Sequence, residues 1–258
     1  MLHNQAELTS ANRVVVKVGS SSITGVNEAK IDKLVDALAA AHKRGQQVVL
    51  VTSGAIATGL PLLGLEVKPD DLPTSQALAS VGQGRLISRY QQSLERYGII
   101  AGQVLLTAQD LEGEETTHNA QRAMERLLEL RVIPIVNEND TVATTEIRFG
   151  DNDRLGALVS VLIEADALIM LSDVDALYDM PPTKPGAKRI ERIEYGQDIS
   201  DIEIGGSGTS VGTGGAVTKV SAAKIANDAG VAVLLTSSDL VNEALSGADI
   251  GTWFAAKG

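Results

Sequence analysis

The sequence predicts an α/β fold with a mostly parallel sheet covered by helices on both faces, and three observations lead there. Short runs rich in Val, Ile and Leu alternate with amphipathic stretches along the chain, the pattern of strand and crossover helix. Four of those runs end in small or polar residues, KVGSSS, VTSGA, VNEND and LSDVD, and ligands of such sheets bind beyond the carboxyl ends of the strands. Composition agrees: over 258 residues the hydrophobic share is 44%, aromatics are 3% and glycine numbers 25. That balance suits a compact core of aliphatic side chains and argues against a disordered chain.

The elements follow in order. RVVVKVG is a β-branched run closed by glycine and serines, a buried strand beginning at Arg13, with residues 1–12 expected as a flexible tail. Ile31, Leu34, Val35 and Leu38 recur at helical spacing between Glu28 and Lys43, and Gly45 ends that helix. QVVLVTSG repeats the strand-to-glycine pattern, and AIATGL opens a helix. The segment from Pro61 to Pro73 reads as a loop, Ser75 to Tyr97 as a long helix and IIAGQVLLT as a strand. Ala108 to Thr117 is polar and reads as a loop, before a helical stripe of Ala120, Ala123, Met124, Leu127 and Leu128. VIPIV is a strand, the stripe from Leu155 to Ile163 a helix, and ALIMLSD a strand. Beyond it, RIERIEY offers a short strand, a glycine-rich connector leads into a helix ending near Ala229, and VAVLL and GTWF close the chain as strands. No internal repeat or interdomain linker stands out, so a single domain over residues 1–258 is expected.

Several classes are excluded. Cysteine is absent, which removes thiolate nucleophiles, disulfide scaffolds and Cys-ligated zinc. A formal charge of −11 speaks against a general nucleic-acid or anionic-membrane surface, so any phosphate must be held by a few local lysines and backbone amides. The start MLHNQAELTSANR lacks a signal-peptide core, and no apolar run is long enough to span a bilayer. A cytoplasmic protein is expected.

Val132 to Asp153 is the densest stretch, a strand followed by Asn137, Glu138, Asn139 and Asp140, then a β-rich excursion, then Asp151, Asn152 and Asp153 at a helix start. Two such polar clusters at a strand end and a helix start suggest a polar ligand, a metal or both. A calcium loop is ruled out, because Leu155 and Leu162 occupy positions where ligands are required. His3, His42 and His118 are not spaced as a metal or catalytic set, and no metal-ligating residues are assigned. Lys17 interrupts an apolar strand just before Gly19, where it would reach past the strand end toward an anion. Gly19 and the serines after it offer unobstructed amides. Ser53, Gly54 and Ala55 join a strand end to a helix start, an anion-binding arrangement. Gly212 to Lys219, GTGGAVTK, combines close backbone approach, a helix start and a mobile cation. It has neither P-loop nor dinucleotide-fingerprint spacing. Two lysines, glycine turns and a carboxylate/amide cluster together suggest phosphoryl transfer to an acidic acceptor, chemistry that needs charge stabilisation more than a strong base.

The set KVGSSSIT, VTSGAIATG, GQVLLT, VNENDTVAT, EIRFGDND, LSDVDALYD and GTGGAVTK resembles the amino-acid kinase family over nearly all of Arg13 to Phe254. Within the family it looks most like the members that phosphorylate L-glutamate. The resemblance implies a three-layer αβα sandwich that transfers phosphate from ATP to the γ-carboxylate of L-glutamate, the first step of proline synthesis. It implies Mg²⁺ with the nucleotide, a homo-oligomer, and feedback inhibition by L-proline, for which Thr141 to Phe149 and Asp110 are the places to look. It also implies site roles. Lys17 contacts the transferring phosphoryl, Lys219 approaches the nucleotide phosphates, and Asp153 positions both lysines. Ser53, Asp140 and Asn152, with Asn137, Gly54 and Ala55, bind the acceptor, and Asp151 belongs to the same polar shell. Gly19, Ser172 and Asp173, with Thr213, Gly214, Gly215, Ala216, Val217 and Thr218, bind the nucleotide. Ser172 stands where Thr is frequent and Ala216 where Met is common. Many members continue into an RNA-binding-type PUA module, whereas this chain ends at Gly258, so the kinase domain without that module is expected. A non-catalytic sensor on the same fold is the alternative, against which the retention of both lysines and Asp153 speaks.

Overall fold

A computed structural model describes residues 1–142, 152–180, 184–198 and 216–258. The described strands form one sheet of eight: β1 (Arg13–Val18), β2 (Gln47–Val51), β3 (Ala101–Leu106), β4 (Ile133–Glu138), β5 (Ala167–Ser172), β6 (Arg192–Ile193), β7 (Ala232–Ser237) and β8 (Thr252–Phe254). Their spatial order is β3-β4-β2-β1-β5-β7-β8-β6, with every pairing parallel except β7 against β8. The first strand is thus central, flanked by β2 and β5.

Alternation within each strand builds two cores. Val14, Val16 and Val18 of β1 face α1 (Lys30–Lys43), α3 (Leu72–Glu95) and α7 (Val241–Leu245), together with Ile133, Ile135, Ile169 and Leu234. Val15 faces the other way, with Val49, Val136, Leu168 and Val233, toward α4 (Glu114–Glu129), α5 (Asn152–Leu162) and α6 (Ala216–Asp228). Helices therefore cover both faces, as expected of strands buried on two sides, and the architecture is the three-layer αβα sandwich anticipated above.

Three boundaries differ from expectation. Pro61 lies in the last turn of α2 (Ala55–Leu62), and Pro73 occupies the first turn of α3, whose cap Asp71 accepts a hydrogen bond from the Thr74 amide. Both prolines sit where no intrahelical N–H is lost or the helix is ending, so neither marks the middle of a loop. The polar stretch before His118 is already helix: α4 begins at Glu114, and acidic residues suit a first turn. Residues 5–10, expected within a flexible tail, form a 3₁₀ helix with Leu8 fully buried. The Gln5 side chain exchanges two 2.8 Å hydrogen bonds with the backbone of Ile250.

Helix α2 lies on α3 at unusually close range. A Cβ at Gly82 would stand 1.8 Å from the Ala55 carbonyl oxygen, and one at Gly59 would stand 2.2 Å from that of Leu78. Only glycine permits this approach, and it presses α3 against the segment that follows β2. No helix among the described residues is long and apolar enough to cross a membrane.

Candidate active site

The strand ends that looked polar in sequence are brought to one edge of the sheet. Lys17 and Val18 end β1, Thr52 and Ser53 follow β2, Asn137 and Glu138 end β4, and Ser172 ends β5. Because β1 alternates, Lys17 shares its face with Val15 and is directed toward α5 and α6. Its aliphatic stem passes over Gly156, where a Cβ would stand 3.2 Å from both Cβ and Cγ of the lysine. Gly156 therefore makes the channel through which the lysine reaches the strand end, a role that no sequence signal announced.

At that end, the ammonium meets Asp153 on the first turn of α5, Nζ to Oδ1 at 2.6 Å. Lys219, from the first turns of α6, meets the other oxygen, Nζ to Oδ2 at 3.1 Å. Thr218 Oγ1 also donates to Oδ2 at 3.1 Å. All three charged residues are at least nine-tenths buried. Burial alone would push the Asp153 carboxyl upward, but the two ammonium groups outweigh it and hold the pKa at about 2. Its position at a helix start adds further favourable potential. One carboxylate thus holds two cations side by side, giving a fixed positive site with no rearrangement needed when an anion arrives. Buried charges in this arrangement are costly unless paired on both sides, and the double pairing meets that demand.

Gly19 lies beside the same ammonium, with its virtual Cβ 3.8 Å from Lys17 Nζ. The following serines form a 3₁₀ turn in which the Ser22 and Ile23 amides bond to the Gly19 and Ser20 carbonyls. Of the amides of the serine run, that of Ser22 is therefore committed within the turn. Ser172 Oγ donates to Asp173 Oδ1 at 3.0 Å at the end of β5. Val217 is exposed at the start of α6. Thr213, Gly214 and Gly215 lie outside the described residues, as does the side chain of Ala216.

The second cluster forms around β2 and β4. Ser53 is buried, and Gly54 adopts φ +99° as the residue before α2. A side chain there would meet Thr24 Cγ2 at 2.7 Å, so glycine is required on both counts. Helix α2 has no side-chain cap, which leaves the first amides after Gly54 open toward the sheet edge. Asn137 is buried and donates Nδ2 to Gln83 Oε1 at 2.6 Å, while accepting the Glu138 amide on Oδ1 at 2.9 Å. Gln83 was not singled out in the sequence. Asn152 is buried at the start of α5 with Oδ1 unpartnered. Asp140, half-buried beyond β4, has its pKa raised to about 7 by burial and by the neighbouring Glu138, with Lys68 opposing. A carboxylate so placed favours a cation. Asp151 and residues 143–149 of the β-rich excursion lie outside the described residues. Asp110 closes a tight turn at the end of β3, accepting from both the amide and hydroxyl of Thr107 at 2.7 and 2.8 Å.

The chain is matched over residues 12–237 by the model of the amino acid kinase family. A glutamate 5-kinase of Clavibacter sepedonicus is 64% identical over 98% of this chain and 98% of its own length. One from Leifsonia xyli is 62% identical over 98% of this chain and 94% of its own. A longer glutamate 5-kinase from Salinispora arenicola is 54% identical over 96% of this chain, which spans 68% of that relative. Among solved structures, the carbamate kinase from Giardia lamblia bound to AMP-PNP superposes with a TM-score of 0.69 over 96% of this chain and all of that one, at 16% identity. That likeness is one of fold.

Proposed function

The chain belongs to the amino acid kinase family, and from that premise we propose how its residues carry out the reaction. It is an ATP-dependent kinase that phosphorylates the γ-carboxylate of L-glutamate, giving γ-glutamyl phosphate and ADP, the first step of proline biosynthesis. The observation that carries the residue assignment is the Lys17–Asp153–Lys219 bridge.

A γ-carboxylate oxygen attacks the terminal phosphorus of ATP as the bond to the ADP oxygen breaks. The acceptor is already ionised at neutral pH, so no base is required. The difficulty lies in bringing two anions together and stabilising charge on the transferring group. Lys17 meets the transferring phosphoryl in this reading, and Lys219 the nucleotide phosphates, a division that their shared bridge to Asp153 supports. Asp153 keeps the two cations in fixed register, which supplies orientation before substrate binds. Gly19, Ser172, Asp173, Val217 and Thr218 are assigned to the nucleotide, and Thr213, Gly214, Gly215 and Ala216 complete the same segment in sequence.

On the acceptor side, Ser53 and the amides of Gly54 and Ala55 are suited to an anionic oxygen, and Asn137 and Asn152 to the polar atoms of the amino acid. Asp140 is suited to the α-ammonium, whose charge would lower a pKa that burial and Glu138 hold near 7. Asp151 adjoins Asn152 in sequence and is kept in the same set. Among the described residues no group of three or more His, Asp or Glu is gathered as a metal site. Both oxygens of Asp153 are already engaged. Mg²⁺ would accompany the ATP phosphates, where it would neutralise charge.

The proposal includes a cytoplasmic homo-oligomer under feedback inhibition by L-proline. Exposed Leu62 at the end of α2, with Leu63, Leu65 and Val67 after it, supplies an apolar surface that suits self-association. Incubation with Mg-ATP, L-glutamate and hydroxylamine tests the activity: γ-glutamyl hydroxamate is expected. Failure with glutamate, alongside turnover of N-acetylglutamate, aspartate or UMP, would reassign the acceptor within the family. ADP-free binding of glutamate in calorimetry would instead favour a sensor. Unchanged activity on titrating proline would remove the feedback.

A further inference from the structure

Gln83 lies on α3, outside every motif described above, and is 8% exposed. Its orientation is fixed by a chain of hydrogen bonds that starts at the backbone. The Glu138 amide can only donate, so it fixes Asn137 Oδ1 as the acceptor at 2.9 Å. Asn137 must therefore turn its Nδ2 to Gln83, and Gln83 must answer with Oε1 at 2.6 Å. This leaves Gln83 Nε2 buried, carrying donor hydrogens and no protein partner. An unsatisfied buried amide is rare and calls for an explanation.

We propose that Gln83 is an acceptor-binding residue whose Nε2 donates to the α-carboxylate of the amino-acid substrate; the proposal rests on the glutamate reading above. A primary amide nitrogen only donates, and its best partner is an anionic oxygen. Placement says which one. Asn137 ends β4, and β2 separates that strand from β1, which carries Lys17. Two strand spacings put the Gln83–Asn137 pair roughly 10 Å from the lysine's strand, with Asn137 turned toward α3 and Lys17 toward α5. The γ-carboxylate must sit at the lysine end to be phosphorylated, so the end of the substrate that extends toward Gln83 is its α end. That end carries one carboxylate and one ammonium, and only the carboxylate can accept from Nε2. Asn152 Oδ1, also buried and without a partner, is the matching acceptor for the ammonium. The close seating of Gly82 on Ala55 holds this part of α3 against the Ser53–Ala55 segment already placed on the acceptor side.

Gln83→Glu is the discriminating variant. It retains an oxygen for Asn137 Nδ2, so a role confined to holding Asn137 survives, while the donor is lost and a negative charge added. The expected result is a KM for L-glutamate raised on the order of 10- to 100-fold, the range for losing a hydrogen bond to a charged group. The KM for ATP should change by less than about twofold. The α-amide of glutamate, which lacks the α-carboxylate charge, should be affected far less, so the preference for glutamate over its α-amide shrinks. An unchanged KM for glutamate, or an equal loss with both acceptors, would overturn the assignment. Should Gln83→Glu fail to fold by circular dichroism, Gln83→Met is read against Asn137→Ala: Gln83→Met releases Asn137 as well as losing the donor, so the preference between acceptors must shrink further than in Asn137→Ala, and an equal change in the two variants would overturn the assignment. Wild-type turnover separates the two levels. If the wild type does not use L-glutamate, the activity reading fails; if it does and the variant keeps its KM and preference, only the role of Gln83 fails.

Discussion

Asp153→Asn removes one negative charge between two buried ammonium groups while nearly preserving side-chain shape. Removing one partner of a buried pair typically destabilises by about 3–5 kcal/mol, because uncompensated charge stays behind. Here the cations that lose this carboxylate would be Lys17 and Lys219, now held at 2.6 and 3.1 Å. Part of this is visible through protonation. A carboxyl held at about 2 instead of 3.8 corresponds to about 2–3 kcal/mol favouring the ionised folded state. Since the folded-state value is depressed, that contribution is complete above about pH 4 and fades as pH falls toward 2. Urea unfolding followed by circular dichroism at pH 7 should show the variant less stable by about 3–5 kcal/mol. The gap to the wild type should narrow between about pH 4 and pH 2, because only the wild type has a proton to gain at this position. Turnover should fall by roughly 10²- to 10³-fold as the lysines lose register. A variant within about 1 kcal/mol of wild type at pH 7, or a gap indifferent to pH over that acidic range, would refute the claim that this carboxylate organises the cations.

Lys17→Met keeps the stem over Gly156 but removes the ammonium; the hydroxamate assay should show turnover reduced by roughly 10²- to 10³-fold with the fold retained, and near-wild-type turnover would remove Lys17 from the mechanism. For the wild type, kcat/KM for L-glutamate should rise with pH through about 7 as Asp140 ionises, its value raised by burial and Glu138. Asp140→Asn should lose that limb, and a pH profile shared by both proteins would take Asp140 out of acceptor binding. Gly156→Ala would place a methyl 3.2 Å from Lys17 Cβ and Cγ. Helix propensity should recover about 1 kcal/mol of the overpacking, so thermal unfolding should shift little while turnover falls about tenfold through the displaced lysine. Unaltered turnover in this variant would show that the channel is looser than the geometry implies.

Strands were the most legible part of the fold, because burial on both faces leaves an unbroken apolar run. RVVVKV and ALIMLS are β1 and β5 almost to the residue. Helix starts were less legible. Glu114 lies in a polar first turn and Thr74 follows Pro73 in another, and a first turn presents no apolar stripe to detect. The lysines were visible because a charge placed among apolar or glycine-rich neighbours breaks the local pattern, and Asp153 because it belongs to a tight polar cluster, its role toward the lysines coming from the family resemblance. Gln83, Gly82 and Gly156 break none. A glutamine on a long helix and a glycine within a helical stripe acquire meaning only from what stands opposite, here Asn137, Ala55 and Lys17. The 3₁₀ helix at residues 5–10 was hidden for the same reason: its one large apolar anchor, Leu8, is too little for a periodic signal.

The pairing of Gln5 with Ile250 has a consequence for how the protein is made. Those partners are 245 residues apart along the chain, and at about 5–20 residues per second the interval between their synthesis is roughly 12–50 s. Throughout that time the 3₁₀ helix has no backbone partner at Ile250, and Leu8 lacks the part of its cover contributed by α7. The central strand β1 waits in a similar way for β5, with β2 as its early neighbour. A nascent chain can therefore assemble the β2–β4–β3 side first and must close the β5–β7–β8 side late. The anchoring of residues 5–10 acts as a latch set only once Ile250 has left the ribosome.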